Sequence, residues 1–304
     1  MSVDMSVEFL GCTFSNPIVA ASGTFGFAKE YADYFDLSLI GGVSLKALTY
    51  NETIGNPPPR IAEVNSGIIN SVGLQNPGVK AFVKDIWPNI SKIKTVKIAN
   101  ISGFSKEDYL NVIEELNNCD IDLYELNISC PNVAHGGAFF GRDEKKAYEI
   151  VSAAKKKAAK PLIVKLMPIL PSLDAVAIAA EEAGADALSL INTLPAMAID
   201  AKSKRPVLGN VTGGLSGPAI KPVALKLVYE VSKCVKIPII GGGGVFSGED
   251  AAEFMLAGAS LVSAGTATLA DPYAVLRIVD ELRKYALSQG VKQIKELTNA
   301  LIVG

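Results

Sequence analysis

The alternation of short apolar segments with longer amphipathic ones constrains the fold of this 304-residue chain more than any other feature. Such alternation is typical of βα units and of a parallel sheet. The predicted strands are 17–22, 42–46, 95–100, 123–128, 162–166, 187–192, 237–240 and 260–264. The predicted helices are 106–116, 144–157, 173–183, 222–232, 248–257 and 274–285. Eight strands with interleaved helices favour an α/β fold of the (β/α)8 or TIM barrel type, and a doubly wound sheet is the alternative.

No linker, internal repeat or low-complexity segment divides the chain, so we expect a single domain over residues 1–304. Segment 7–14 is predicted to form a hairpin that closes one end of the barrel, and segment 294–301 a last helix. Segments 50–78 and 193–217 are longer than the loops of a minimal barrel. We expect both insertions at the carboxyl-terminal mouth, where barrel enzymes build their active sites.

Composition and charge exclude several classes of protein. The chain has 29 Lys+Arg against 31 Asp+Glu, and its net charge of -2 provides no basic surface for nucleic acid. We find no signal peptide and no apolar run of about 18 residues, so we expect a cytoplasmic protein without a membrane span. The four cysteines form no CxxC pair, which favours a reducing compartment over disulfides or a zinc site. The single histidine, His135, argues against a histidine metal centre, and no GxSxG motif accompanies it.

Polar residues close six of the predicted strands. They are Ser22, Lys46, Asn100, Asn127, Lys165 and Asn192. A single residue of this kind has an ordinary explanation, because it can cap the following turn or helix. Six that converge on one barrel mouth favour a binding site, in which amides hydrogen-bond to a flat polar ring and lysines attract an anion.

Glycines follow the last two predicted strands. Residues 241–244 are four successive glycines, and Gly265 and Thr266 follow the eighth strand. Loops at these two places in a barrel commonly bind phosphate through backbone N–H groups, whereas tight turns alone are the alternative. Neither cluster matches GxGxxG or the P-loop, so a dinucleotide fold is not supported.

Cys130 is the candidate catalytic residue. It lies just beyond the fourth predicted strand in a polar loop that contains proline and glycine, a type of loop that can open and close. A thiol there can act as a base if its surroundings favour the thiolate. The other cysteines are interpreted as inert small hydrophobic residues, and His135 as a surface residue.

Several motifs, in order along the chain, resemble one known family. They are 21–26 (ASGTFG), 70–78 (NSVGLQNPG), 127–132 (NISCPN), 191–193 (INT) and 210–226 (NVTGGLSGPAIKPVALK). These motifs resemble the class 1 dihydroorotate dehydrogenases, and segment 210–226 is most similar to the class 1B catalytic subunit. The resemblance covers essentially the whole chain and implies an FMN-binding (β/α)8 barrel, in agreement with the strand count.

The resemblance also implies a set of site residues. The implied FMN contacts are Ser22, Lys46, Ala47, Asn100, Asn127, Lys165, Ile191, Gly217, Gly243, Gly244, Gly265 and Thr266. The last four would hold the phosphate, and Lys46 would lie between flavin and substrate. The implied contacts to dihydroorotate or orotate are Lys46, Asn70, Ser71, Val72, Gly73, Leu74, Asn127, Asn132, Asn192 and Thr193.

The chemistry that the resemblance implies is the oxidation of (S)-dihydroorotate to orotate in de novo pyrimidine biosynthesis. Cys130 would take a proton from C5 while a hydride leaves C6 for the flavin. In class 1B the electrons then pass to a partner subunit that carries FAD and a [2Fe–2S] cluster and reduces NAD+. The implied assembly is a heterotetramer of two catalytic and two partner chains. The membrane-bound class 2 enzymes instead use serine as the base.

One position departs from the family pattern, and several alternatives stay open. After Lys165 and Leu166 the family usually has Ser or Thr and then Pro–Asn, whereas this chain has Met167, Pro168 and Ile169. Class 1A, a fumarate-dependent homodimer, is the nearest alternative. A tRNA dihydrouridine synthase would need a basic surface that the net charge does not provide. A flavin-free lyase or isomerase barrel and a catalytically silent scaffold subunit are the others.

Overall fold

A computed structural model describes residues 2–129, 140–168 and 173–303 of the protein. In chain order the strands are β1 Val7–Phe9, β2 Cys12–Phe14, β3 Ile18–Ala20, β4 Gly42–Ser44, β5 Ile61–Val64, β6 Gly67–Asn70, β7 Val96–Ile101, β8 Leu123–Asn127, β9 Leu162–Lys165, β10 Ala187–Leu190, β11 Leu194–Met197, β12 Ile199–Asp200, β13 Arg205–Pro206, β14 Thr212–Ser216, β15 Ile239–Gly242 and β16 Leu261–Ala264. Eight of them are parallel and close into a barrel in the order β10-β15-β16-β3-β4-β7-β8-β9, which confirms the predicted (β/α)8 fold and excludes the doubly wound sheet.

Helices on the outside of the barrel connect its strands, and their sequences explain where they begin. The side chains of Ser105, Asp143 and Ser247 each accept hydrogen bonds from backbone N–H groups at the start of a helix. Ser247 also forms a capping box with Asp250. All six predicted helices are present within a few residues of their predicted bounds. The α-helices are α1 Lys29–Ala32, α2 Val79–Ala81, α3 Trp87–Ile90, α4 Lys106–Leu116, α5 Glu144–Lys157, α6 Leu173–Glu182, α7 Lys221–Cys234, α8 Gly248–Leu256, α9 Thr266–Ala270 and α10 Ala274–Ser288.

Shorter helical turns complete the secondary structure. They are a π-helical turn Phe82–Ile86 and the 3-10 turns Leu37–Leu39, Pro218–Ile220 and Ile294–Leu297.

The two long insertions pair with each other above the barrel mouth. Strands β5 and β6 come from the first insertion and β11 and β14 from the second, and they form one antiparallel sheet in the order β11-β14-β6-β5. The register places Gly214 opposite Asn70. The sheet fixes both insertions at the carboxyl ends of the barrel strands and so forms one wall of the site.

The chain termini pack on the barrel differently from each other. Strands β1 and β2 form the predicted antiparallel hairpin, and Phe14 is fully buried against the start of β4. The predicted helix over 294–301 is wrong beyond the short turn Ile294–Leu297. Thr298 is extended, and Leu301, Ile302 and Val303 are exposed, so no buried face stabilises a longer helix there.

Within the described residues, none of the helices combines the length and the apolar composition that crossing a bilayer requires.

Candidate active site

A cavity of about 270 Å³ opens at the carboxyl ends of the barrel strands, below the sheet formed by the insertions. Residues predicted for both the cofactor and the substrate lie in its wall, which places the predicted site at the expected end of the barrel. The predicted residues that line the cavity are Ser22, Lys46, Ala47, Asn70, Val72, Gly73, Leu74, Asn127, Lys165, Ile191, Asn192, Thr193, Gly243, Gly244, Gly265 and Thr266.

Three predicted site residues lie just outside the wall. Asn100 is fully buried beneath the cavity, on β7. Ser71 is also fully buried, and its hydroxyl accepts from the amides of Asn56 and Asn210 at 2.9 and 3.0 Å, so it joins the two insertions. Gly217 packs closely against the glycine loop, with its carbonyl oxygen next to the Cα of Gly244.

The predicted base Cys130 and the predicted substrate contact Asn132 lie outside the described residues, as do His135 and Ile169.

Two lysines bring positive charge to the cavity. Lys46 and Lys165 both line it, and among the described residues neither ammonium group has a hydrogen-bond partner. Burial lowers the pKa of Lys46, although the Glu30 carboxylate opposes part of that shift. Two ammonium groups without partners in one cavity suit an anionic ligand.

A chain of amides runs from the barrel interior to the cavity wall. The Asn127 amide donates to Asn100 Oδ1 at 3.2 Å, and Asn127 Oδ1 accepts from the Ser129 hydroxyl at 2.8 Å. Ser129 Oγ in turn accepts from the Asn192 amide at 2.9 Å. The Tyr109 hydroxyl donates to the Asn127 carbonyl at 2.8 Å and holds the end of β8 in place. The amides are therefore fixed before any ligand binds.

The glycine loop after β15 has a backbone that side chains would disturb. Gly243 and Gly244 have φ values of 130° and 90°, which favour glycine. A Cβ at Gly244 would lie 2.8 Å from the Gly217 carbonyl oxygen. Nearby, the Thr266 hydroxyl donates to Ser216 Oγ at 2.8 Å, which joins the end of β16 to the second insertion. The bare backbone and the hydroxyls suit a phosphate group.

Sequence reasoning missed part of the wall and a carboxylate below it. Glu125 lies two residues before Asn127 on β8, so both side chains point into the barrel, and an acidic residue in an otherwise apolar strand was the signal. The lining residues that were missed are Ala21, Gly23, Thr24, Ile61, Ile68, Gln75, Ser216, Ile220, Ser263 and Leu269.

The departure at Met167 lies outside the cavity wall. Its side chain is 4% exposed, and its sulfur would lie 3.7 Å from a Cβ at Gly141. Met167 therefore fills space behind the site and takes no polar role there.

The arrangement can hold an anionic, partly flat ligand at the barrel mouth. Residues 4–285 match the family model described as dihydroorotate dehydrogenase. The chain belongs to the dihydroorotate dehydrogenase family. This match confirms the resemblance inferred from the sequence motifs.

Relatives in the family carry names of two types. The chain is 49% identical over 299 residues to the "dihydroorotate dehydrogenase B (NAD(+)), catalytic subunit" of Caldicellulosiruptor bescii, covering 98% of this chain and 99% of that one. The protein of the same name from Geobacter metallireducens is 49% identical over 301 residues, covering 99% of both chains. A Solibacter usitatus protein, provisionally named dihydroorotate dehydrogenase A (fumarate), is 48% identical over 302 residues, covering 99% of both chains.

A solved structure supports the fold. A crystal structure of DHODH from Eimeria tenella in complex with ferulenol superposes with a TM-score of 0.81 at 24% identity. The match covers 98% of this chain and 88% of that one.

Proposed function

We propose that this protein oxidises (S)-dihydroorotate to orotate, a step of de novo pyrimidine (UMP) biosynthesis, with FMN bound in the barrel-mouth cavity. The observation that carries the proposal is that two lysines without a hydrogen-bond partner among the described residues, fixed amides and a bare glycine loop meet in one cavity. The C. bescii relative is named for this activity and for a link to NAD+.

The residues of the cavity fit FMN. Gly243, Gly244, Gly265 and Thr266 would hold the phosphate through backbone groups and a hydroxyl. Ala47 and Ile191 offer apolar surface to a flat ring, while Lys165 offers positive charge. When bound, FMN supplies the chemistry of accepting a hydride.

The residues of this chain bind and orient the substrate. Lys46 would attract the substrate carboxylate, and the amides of Asn70, Asn127 and Asn192 would pair with its ring. Cys130 would remove the proton from C5, which is general-base catalysis by a thiolate. The sheet that covers the cavity would exclude water from these groups.

We further propose that electrons pass to NAD+ through a partner subunit that carries FAD and a [2Fe–2S] cluster, in a heterotetramer of two catalytic and two partner chains. The words "catalytic subunit" in the name of the C. bescii relative support a partner. A cytoplasmic location suits the free thiols of Cys12, Cys119 and Cys234, because a reducing compartment keeps such thiols unpaired.

Orotate production with different electron acceptors tests this function. We expect the chain co-purified with an iron–sulfur flavoprotein to reduce NAD+ on addition of dihydroorotate, and the chain alone to be inactive with NAD+. A homodimer that turns over with fumarate would instead support the class A activity, which the S. usitatus relative favours as the second candidate. No orotate with any acceptor would refute both.

A further inference from the structure

One carboxylate lies inside the barrel below the cavity. Glu125 is the middle residue of β8, its side chain is 4% exposed, and it is the one acidic residue of the eight barrel strands, all of which are described. A buried carboxylate is costly unless charges and hydrogen bonds compensate it. Its surroundings must therefore stabilise it.

Donors from three other barrel strands converge on this carboxylate. The hydroxyls of Ser44 on β4 and Ser189 on β10 each donate to it at 2.7 Å, one to each oxygen. The amide of Asn100 on β7 donates to the same oxygen as Ser44. Burial raises the pKa of Glu125, but the charge of Lys165 and these three donors outweigh burial and leave the pKa below its usual value. The group is an anion at neutral pH.

An anionic carboxylate accepts hydrogen bonds and donates none, so it determines the orientation of the amides above it. Asn100 must turn its NH2 group toward Glu125, which leaves its Oδ1 to accept from Asn127. Asn127 Oδ1 then accepts from Ser129, and Ser129 Oγ accepts from Asn192. The direction of every donor in this chain follows from the charge at its lower end.

The same carboxylate balances the charge of a cavity lysine. The Lys165 ammonium lines the cavity and makes no hydrogen bond to any described residue, yet its charge acts on Glu125. A negative group below the cavity reduces the positive potential that a ligand at Lys165 experiences.

We infer that Glu125 is a positioning residue. It acts through Asn100 to orient the asparagine side chains that face the substrate, and through Lys165 to lower the reduction potential of the bound flavin. This inference rests on the proposed function for the presence of the flavin. Glu125 lies beneath the wall and need not touch the ligand.

The test is the midpoint potential of FMN bound to Glu125→Gln, measured by titration with a chemical reductant and a mediator dye. Glutamine keeps the shape but removes the charge, so a reduced, more negative flavin is stabilised. We expect the potential to rise by at least about 30 mV, which is a tenfold change in the two-electron equilibrium constant. Orotate should bind about tenfold more weakly, because the amide chain loses the anion that fixes its direction.

A matched control separates this role from a structural one. Lys97→Met removes a buried charge at the opposite end of the same barrel and should leave the potential unchanged. If Glu125 had only a structural role, the Glu125→Gln variant would lose stability and FMN content, but the midpoint potential of the flavin that remains bound would not change. An unchanged potential in folded, FMN-loaded Glu125→Gln would overturn the inference.

If Glu125→Gln does not fold, a Ser44→Ala/Ser189→Ala double variant decides the question. This double variant keeps the carboxylate but removes two neutral hydrogen-bond donors. At mildly alkaline pH, where the carboxylate stays ionised, its negative charge is then less compensated, so the midpoint potential of the flavin should fall. No change there would overturn the inference. Because the reductant is chemical, these results do not depend on dihydroorotate. Failure of dihydroorotate to reduce the wild-type protein would refute the proposed function separately.

Discussion

The lysines at the two ends of the barrel differ in their hydrogen-bond partners. At the amino end the ammonium group of Lys97 donates to the carbonyls of Ile93 and Thr95 at 2.8 and 2.9 Å, and the side chain is 7% exposed. At the carboxyl end Lys46 and Lys165 line a cavity without such partners among the described residues. Burial lowers the pKa of both Lys97 and Lys46.

The difference separates structure from function within one residue type. The chain itself satisfies Lys97, which therefore stabilises the fold. The ammonium groups of the carboxyl-end lysines keep their N–H donors available for a ligand. Their partial desolvation destabilises the ligand-free protein, and ligand binding offsets that free energy. Unpartnered polar groups in a polar cavity indicate the site more directly than the cavity itself does.

The largest expected effect belongs to the carboxyl end. Cys130→Ala should reduce turnover by about 10²–10⁴-fold, because it removes the general base. The bound flavin should remain, as judged from the visible absorbance spectrum of the purified variant. Turnover equal to that of the wild type would contradict the assignment of the base.

Substitution of one lysine at each end tests the comparison itself. Lys46→Met should weaken orotate binding by about 1.5–3 kcal/mol, the value of a hydrogen bond to a charged group, without loss of thermal stability. Lys97→Met should leave orotate affinity unchanged and lower the free energy of unfolding by about 1–3 kcal/mol, because two half-buried carbonyls lose a charged donor. Titration of the flavin spectrum with orotate and chemical denaturation measure the two quantities. Equal behaviour of the two variants would break the comparison.

The amide wall should contribute less than the base. Asn127→Ala should weaken orotate binding by about 1–3 kcal/mol, because a buried ring amide of the ligand loses its partner. Asn117→Ala, which removes an amide remote from the cavity, is the control. If orotate affinity is unaltered in Asn127→Ala, direct contact is ruled out.

The smallest effect is a pH dependence carried by Lys46. Its pKa lies below the usual lysine value, so the charged form is present below that pKa and is lost as pH rises through it. Orotate affinity should therefore fall as pH rises from about 7 toward the usual lysine value of about 10.4, and Lys46→Met should lack this decline. A decline that persists in the variant would assign it to another group.

Local sequence patterns predicted the barrel because each strand is a short apolar run that its own residues define. Even so, the prediction for β15 begins and ends two residues too early, since Gly241 and Gly242 belong to the strand and glycine rarely indicates one. The sheet of insertions was not predicted, because Asn70 and Gly214 are distant in sequence and nothing local states their pairing.

The site divides in the same way. Strand-end residues such as Asn127 and Lys165 were predicted because the topology of a barrel collects strand ends in one place. Glu125 was missed because its partners Ser44 and Ser189 lie 81 and 64 positions away in sequence, and only the closed barrel brings them together.

The most direct test of the account is an anaerobic absorbance spectrum of the purified protein before and after dihydroorotate is added. We expect a visible flavin band that dihydroorotate bleaches, which would establish the cofactor and the substrate together. A bound flavin that dihydroorotate leaves oxidised would contradict the proposed substrate. A colourless protein that cannot be reconstituted with FMN would contradict the cavity assignment itself.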